Sequence, residues 1–433
     1  MEIFHGKCVD LSSEGKGVVK CDKDIIFVDG LFPGEEADIE ITYRRAGVLF
    51  GKVIKLFNLS KDRIQPKCKI CTSCGGCQYQ QLRYEAQLKV KTDRVKNDLK
   101  HIGGLDVPVN PCIGMSDPYY YRNKIQMPYG KDRKGNVIYG FYKENTHIIM
   151  PIKECAIEDK RAASILWDIK ELVKEFKLSI YNENSNSGLL RYVLIRTSYH
   201  YDELMVVLVT TQMNFAGQRN FIDALVKLHP EITTIVENVN SRHTNVVLGD
   251  HEKALYGKGK IKDSILGLNF EISASSFYQV NPVQVEKLYQ VAIDQLIDEK
   301  ESTLLDAYSG VGTIGLIASS KVNKVISVEI NKFAHNNAIE NAKRNNVNNI
   351  EFHCGDAGEF ISSTDEKIDV VIMDPPRKGS DETFLTTLIE NKIKKIIYIS
   401  CNPETLARDL KFLSPHYKID YVQPVDMFTH TSH

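Results

Sequence analysis

Lys394 to Leu410, KKIIYISCNPETLARDL, carries an apolar run that ends at a cysteine and is broken at once by Asn402-Pro403. Ile396, Ile397, Tyr398 and Ile399 read as a buried strand, and Pro403 stops it. Two other runs repeat the plan. Ile368 to Gly379, IDVVIMDPPRKG, ends at Asp374-Pro375-Pro376, and Ser302 to Leu316, STLLDAYSGVGTIGL, ends in a glycine turn. Together they predict an open α/β sheet with an acid, a glycine loop and a thiol at its carboxyl edge, where such sheets bind ligands. A strand-end cysteine is ordinarily a small, buried, inert residue. Its company makes Cys401 a candidate nucleophile.

The turn Gly310-x-Gly312-x-x-Gly315 fits a dinucleotide pattern, and Glu329 follows Gly310 by 19 residues at the end of the next apolar run, KVISVEI. Taken alone the pattern is weak. Readers of nicotinamide dinucleotides and of S-adenosylmethionine both need close backbone approach at the glycines and a carboxylate on ribose hydroxyls. Asp306 just before the loop, and the Asp-Pro-Pro run two strands on, favour S-adenosylmethionine. A buried acid there can face a sulfonium or amino group, and two prolines stiffen the loop.

In order along the chain, SSFYQVNP at Ser275, DAYSGVGTIGL, VEI, MDPPRKG, ISCNPETLARDL and the terminal DMFTHTSH resemble the RNA uracil-5 methyltransferases of the rRNA and tRNA type. The likeness covers nearly the whole chain, and its iron-sulfur-containing 23S rRNA branch fits best. It implies a multidomain protein: an oligonucleotide-binding-type barrel (TRAM) over residues 1–58, a central α+β domain with an iron-sulfur loop over 59–265, and a Rossmann-like methyltransferase domain over 266–433. Carbon 5 of uracil is a poor nucleophile, so a thiolate must first add at carbon 6. The resemblance gives that role to Cys401, with Asp374 orienting the cofactor or the uracil edge. Gln279, Tyr308, Glu329 and Asp374 are then the cofactor-binding residues, with Asp356 of CGDA an adenine contact. The target uridine must lie in a loop or be flipped out.

The family's proton-removing glutamate closely follows the histidine of the DMFTHTSH-like motif, and the sequence given ends at His433. His430 and His433 are not convincing substitutes. Either the natural chain continues past His433, which is the favoured expectation, or the base is missing; a chain ending at His433 is expected to form methylated covalent RNA adducts and release them slowly. Three other readings remain open: an amino-group RNA methyltransferase, a nicotinamide oxidoreductase, and a non-enzymatic RNA-binding assembly factor. Methylation of tRNA rather than rRNA is a further alternative within the same chemistry.

A chain of 433 residues with 42% hydrophobic content can bury two or three cores. It contains no run of roughly 18 apolar residues, and MEIFHGKCVD lacks a signal-peptide core. These features predict a cytoplasmic monomer with no membrane partner. The formal net charge is only -1, yet residues 61–160 carry a surplus of +7 and the remainder -8. Phosphate contacts need local rather than global charge, so the asymmetry is a modest sign of an RNA partner.

Residues 1 to about 57 break into short β segments separated by Gly, Asp and Pro turns, the signature of a small barrel. Glu14-Gly15-Lys16-Gly17, Arg44 and Arg45 are its candidate RNA contacts. Next comes Cys68-Lys-Ile-Cys71-Thr-Ser-Cys74-Gly-Gly-Cys77, whose thiols at three-residue intervals could converge on zinc or an iron-sulfur centre. The resemblance implies a [4Fe-4S] cluster on Cys68, Cys74, Cys77 and the distant Cys155, with Cys71 an extra thiol. The rival assignment takes all four ligands from Cys68 to Cys77. Gln80 to His101 is expected to be a helix burying Leu82, Leu88, Val95 and Leu99.

In DPYYYRNKIQMP, three tyrosines beside Arg122 and Lys124 suit base stacking plus phosphate contact, though a packed strand would have the same composition. The resemblance favours RNA contact for Arg122 and Lys124. Residues 160–265 should alternate helix (Ala162 to Phe176) and strands (LLRYVLIRTS, ELMVVLVTT, ITTIVENVN, NVVLG), with Arg191 and Arg196 as surface or RNA-side charges. Phe277 reads as a core residue from composition, whereas the resemblance makes it an RNA contact that stacks on an extruded base.

Overall fold

The computed structural model describes residues 2–21, 24–144 and 146–433, and divides them into two compact units. The first unit comprises Met1–Pro118, Lys143–Thr146 and Ile419–His433; the second comprises Tyr119–Tyr142 and His147–Lys418.

The first unit opens with five strands: β1 (Ile3–Leu11), β2 (Gly17–Cys21), β3 (Asp24–Val28), β4 (Glu36–Arg45) and β5 (Val48–Leu56). They close into a barrel in the order β1-β2-β3-β5-β4. Alternation along β4 sends Ala37 and Ile39 inward, where they meet Val19, Ile26, Val28 and Leu49 in the barrel core. The barrel expected from the sequence is therefore present. In its glycine loop Gly15 and Gly17 are buried while Glu14 is exposed. Gly15 has φ +81°, a Cβ there would lie 2.7 Å from Cβ of Gln78, and Lys16 is paired with Asp29 at 2.5 Å. Arg44 and Arg45 are exposed at the end of β4.

Below the barrel, the fully buried Glu35 accepts a forked pair of bonds from Arg63, Nε to Oε1 at 2.6 Å and Nη2 to Oε2 at 2.7 Å. The amides of Phe32 and Ser60 complete its shell. Burial opposes the charge, but Arg63 and the two amides hold the carboxyl below its usual range.

A single turn α1 (Cys71–Cys74) and the long α2 (Tyr84–His101) follow. Here the helix's buried face departs from expectation. Leu99 is buried and Leu82 lies buried just before the helix, but Leu88 and Val95 are only half-buried, and the residues that turn inward are Gln87 and Lys91. The reason is the C-terminal segment. Lys91 Nζ reaches Asp426 at 2.5 Å and the carbonyls of Phe428 at 3.0 Å and His433 at 2.5 Å. Gln87 Oε1 accepts from the His430 amide, and Tyr84 donates to Asp426 at 2.8 Å. His430 is buried, and burial drives its imidazole down to about 4, so it stays neutral.

The second unit contains two large sheets. Its first part is β6 (Lys124–Lys131), β7 (Val137–Tyr142), β8 (Ile149–Pro151), α3 (Arg161–Glu175), β9 (Leu190–Thr197), β10 (Leu204–Thr210), α4 (Gln218–Leu228), β11 (Thr234–Val239) and β12 (His251–Tyr256). The strands form a seven-stranded sheet in the order β12-β11-β10-β9-β6-β7-β8. Ile125, Val193, Val206 and Ile235 pack with Ile165 of α3 and Phe221 of α4. NVVLG, expected as a strand, is irregular; Asn240 Nδ2 binds the carbonyls of Val246 and Val247 instead. Arg191, expected at the surface, is buried because its guanidinium serves three carbonyls, those of Asn240, Arg242 and Thr244.

A hairpin of β13 (Ile261–Ile265) and β14 (Leu268–Ile272) leads to α5 (Pro282–Asp294), whose N-cap is Asn281. Then come β15 (Thr303–Ala307), α6 (Thr313–Ala318), β16 (Lys324–Glu329), α7 (Lys332–Arg344), β17 (Ile350–Cys354), α8 (Ala357–Ser363), β18 (Val370–Met373), α9 (Glu382–Glu390), β19 (Lys395–Tyr398) and α10 (Pro403–Leu413). All five strands are parallel, in the order β17-β16-β15-β18-β19. The order reverses between β15 and β18, which makes that junction the ligand crevice of an open α/β sheet. The strand before Cys401 is shorter than read from sequence and lies at the sheet edge, so Ile396 and Tyr398 are only half-buried.

No helix among the described residues is long and apolar enough to cross a membrane.

Arg63→Met should leave Glu35 as an uncompensated buried charge and lower stability at pH 7 by about 3 kcal/mol. In the native chain the folded pKa is depressed. The stabilisation is therefore complete above the ordinary value of about 4.3 and is lost as pH falls through the folded value. In the variant the carboxyl can protonate as pH falls, so its deficit against the parent should shrink between pH 7 and pH 4. Urea midpoints at the two pH values check both parts.

Candidate active site

The crevice is built from strand ends. β15 ends in Ala307 and passes into Tyr308, whose φ of +62° starts the turn to Gly310 and Gly312. Asp306 is 1% exposed and its Oδ2 accepts the Gly315 amide at 2.8 Å. A Cβ on Gly315 would fall 2.7 Å from that oxygen, so the glycine lets α6 sit on the acid. Glu329, at the end of β16, accepts the Gly310 amide at 2.8 Å through Oε2 and the Asn331 amide at 2.7 Å through Oε1. Both carboxylates thus shape the glycine loop.

Asp374 follows β18. Burial pushes its carboxyl up to about 6, and burial with the charges of Asp374 and Glu329 pushes Asp306 up to about 7, the Gly315 amide opposing. Tyr289 of α5 is buried within reach of both acids and hydrogen-bonds the Gln279 side chain. Tyr308 meets the Ser380 hydroxyl at 3.3 Å and packs edge-on against Phe384. Asp356 is exposed and caps α8 through the amides of Gly358 and Glu359.

Cys401 follows β19 and is solvent-exposed. Partial burial and the charge of Asp374 raise its thiol above the ordinary value, and Arg377 opposes them. Cys401 is therefore within electrostatic reach of both Asp374 and Arg377. The two loops are also joined by backbone: Ile399 N–H donates to Met373 O at 2.9 Å.

Phe277 is 76% exposed, contrary to a core position. Its neighbours are anchored, Tyr278 by burial and Ser273 with Ser276 through a 2.7 Å hydroxyl pair. Sequence reading missed what holds this loop. Arg196, expected on the surface, is buried on β9 and donates to the carbonyls of Ala274 and Ser276. Asn123 donates its amide to Val280 O at 3.0 Å and its side chain to Gln279 O at 3.1 Å. Lys124 lies close to Arg196 and Arg122, and burial with those two cations lowers its ammonium to about 8. Arg122 Nε donates to Lys124 O. The structure thus gathers Arg122, Lys124 and Arg196 around the root of the Phe277 loop.

In the first unit, Cys68, Cys71, Cys74 and Cys77 sit close enough for their charges to influence one another. Burial, with lesser charge effects from these neighbours, pushes Cys77 up to about 12, while Gln80 opposes through a hydrogen bond. Cys71 is the buried member; Cys68, Cys74 and Cys77 are half-exposed. No group of three or more metal-binding side chains converges on a metal geometry among the described residues. Cys155 belongs to the second unit, where it lines a small cavity with Tyr120, Glu158 and Lys160.

A family described as tRNA (Uracil-5-)-methyltransferase matches residues 83–433. A protein from Staphylococcus epidermidis named as an uncharacterized RNA methyltransferase is 40% identical, over 100% of this chain and 96% of its own. Another of that description, from Bacillus cereus, is 42% identical over 98% of this chain and 93% of its own. Among solved structures, the Pyrococcus abyssi tRNA (uracil-54, C5)-methyltransferase in complex with S-adenosyl-L-homocysteine superposes with a TM-score of 0.81 at 30% identity, covering 99% of this chain and 98% of that one. The chain therefore belongs to the RNA uracil-5-methyltransferase family and is an S-adenosylmethionine-dependent RNA methyltransferase.

Proposed function

We propose that the protein transfers a methyl group from S-adenosylmethionine to carbon 5 of an RNA uridine through a covalent bond between Cys401 and carbon 6. The observation that carries this reading is one exposed thiol beside Asp374 at the carboxyl edge of the parallel sheet. The Cys401 thiolate adds to carbon 6, and the ring electrons collect at carbon 5 as an enolate. Carbon 5 then displaces S-adenosylhomocysteine from the methyl group. Loss of the carbon 5 proton to a base expels the thiolate and restores the double bond. Gln279, Tyr308, Glu329 and Asp374 hold the methyl donor, with Asp356 toward its adenine. Asp374 also orients the uracil edge. Phe277 stacks on displaced bases, and Arg122 and Lys124 take phosphates.

The target we favour is 23S rRNA, on the likeness of the Cys68 to Cys77 loop to cluster-bearing members of the family. A tRNA target is the second reading, supported by the likeness to the Pyrococcus abyssi enzyme. In either case residues 1–58 serve as the RNA-binding barrel, 59–265 as the central domain and 266–433 as the methyltransferase domain. The protein acts as a cytoplasmic monomer.

A [4Fe-4S] cluster would be held by Cys68, Cys74, Cys77 and Cys155. What supports the reading is the donor chemistry: thiols at three-residue intervals are soft ligands, and Cys71 is the buried member of the run while Cys68, Cys74 and Cys77 are half-exposed. Such a centre would supply a positive charge for these thiolates. No step of methyl transfer is assigned to it.

Cys401→Ala should abolish methyl transfer from labelled cofactor, and RNA carrying 5-fluorouridine should crosslink to the parent enzyme at Cys401 only. Mapping 5-methyluridine in rRNA and tRNA of cells lacking the protein identifies the target, with loss from 23S rRNA expected. Asp374→Asn leaves the burial of the thiol but removes the charge that raises it further, so the pKa of Cys401 should fall. Iodoacetamide labelling of its peptide near pH 7.5 should then rise several-fold while methylation drops by about 100-fold. For the metal, protein purified anaerobically should carry iron and sulfide. Cys71→Ser should retain them and Cys74→Ser lose them; iron loss from Cys71→Ser instead would favour the four-cysteine loop as the whole ligand set.

A further inference from the structure

We propose that Asp409, with Arg408, is the positioning residue that sets Cys401 against Asp374, an inference that rests on Cys401 being the nucleophile. α10 begins two residues after Cys401, and side chains from its N-cap and first two turns reach back to the loop that follows Asp374. Asn402 Nδ2 and Thr405 Oγ1 donate to Arg377 O at 3.4 and 3.3 Å. Arg408 Nη2 donates to Lys378 O at 3.0 Å and Ser380 O at 3.1 Å. Asp409 is 2% exposed and completes the set. Its Oδ2 accepts the Ser380 amide at 2.9 Å and the Tyr398 hydroxyl at 2.6 Å, and Oδ1 pairs with Arg408 at 2.7 Å.

One carboxylate therefore ties together the last residue of β19, the helix after the nucleophile and the loop after the acid. Cys401 lies between the first two, and Asp374 leads into the third. Charge-assisted bonds arriving from separate directions fix orientation as well as distance, which an apolar contact would not do. Gly379 shows how closely the loop rests on the pair. Its φ is +81°, and a Cβ would lie 2.6 Å from both Arg408 Nη2 and Asp409 Oδ2. Ser380 carries the effect further, because its hydroxyl faces Tyr308 on the glycine-loop side of the crevice.

The test uses the full chain in single turnover with 5-fluorouridine RNA, following adduct formation at Cys401 alongside S-adenosylhomocysteine affinity, RNA affinity and thermal unfolding. Asp409→Asn should slow adduct formation by about 30-fold, the scale of a misplaced reacting group, with both affinities within about 3-fold of the parent. Tyr398→Phe, which removes one bond and keeps the ring, and Gly379→Ala, which forces the loop off the pair, should slow it by about 5-fold each. The proposal is overturned if the folded variants form adduct at the parent rate, or if rate, affinities and stability all fall together. Should Asp409→Asn fail to fold, Tyr398→Phe decides by the same rate-against-affinity comparison. Cys401→Ala separates the two levels. If it still methylates, the nucleophile assignment fails; if it is dead and Asp409→Asn reacts at the parent rate, the positioning role alone fails.

Discussion

Three carboxylates at neighbouring strand ends organise the catalytic half of the chain. Asp306 and Glu329 each accept an amide of the glycine loop, so the loop takes its shape from the acids it is meant to present. Asp374, beyond the point where the strand order reverses, adds a third charge within reach of Asp306. Burial raises Asp374, and burial with the charges of the other two raises Asp306, which makes the crevice costly to hold as a trianion and favourable to a guest bearing positive charge. The sulfonium and amino groups of S-adenosylmethionine are such a guest. A nicotinamide ring reduced by hydride gives up its positive charge and gains nothing from a third acid.

The loop that carries Phe277 depends on a different kind of support. An aromatic that is 76% exposed cannot hold its own backbone by burial, so the backbone must be held from behind. Arg196 and Asn123 do this from β9 and from the residue before β6, spending their donors on carbonyls of residues 274, 276, 279 and 280. The sheet that reads in sequence as an unremarkable α+β insertion is thus the scaffold on which Phe277 stands. It also explains why Arg196 is buried: its charge is spread over carbonyl oxygens, and burial lowers its pKa to about 10 without neutralising it.

Features carried by one short stretch were legible from the chain alone. An apolar run ending in an acid, a glycine turn or a thiol reports both the strand and the side chain at its carboxyl end, and the parallel order places those ends together. Asp409 was not legible, because an aspartate inside a charged helix looks like any solvated residue until Ser380 and Tyr398 are brought to it. The polar stripe of α2 was hidden for a similar reason. Gln87 and Lys91 look like surface residues unless the chain some 340 residues later is known to supply His430 and Asp426 as their partners. Arg191 fails the same way, since only the folded loop reveals three carbonyls for one guanidinium.

The thiol itself sits under opposed pressures. Partial burial and Asp374 raise it, while Arg377 lowers it, so at rest the sulfur holds its proton more firmly than a free cysteine. Burial is the larger of the two raising causes, and the one a bound substrate can relieve is the charge of Asp374. A hydrogen-bond donor placed against that carboxylate would take up part of its field and let the thiol ionise. In the proposed reaction the donor a uracil offers there is its own N–H edge, so the acid assigned to orient the base would also condition the sulfur assigned to attack it. Orientation and activation become one event, provided the two loops keep their spacing. That spacing is what the bonds from α10 maintain, which is why a carboxylate that touches no substrate can matter to the rate.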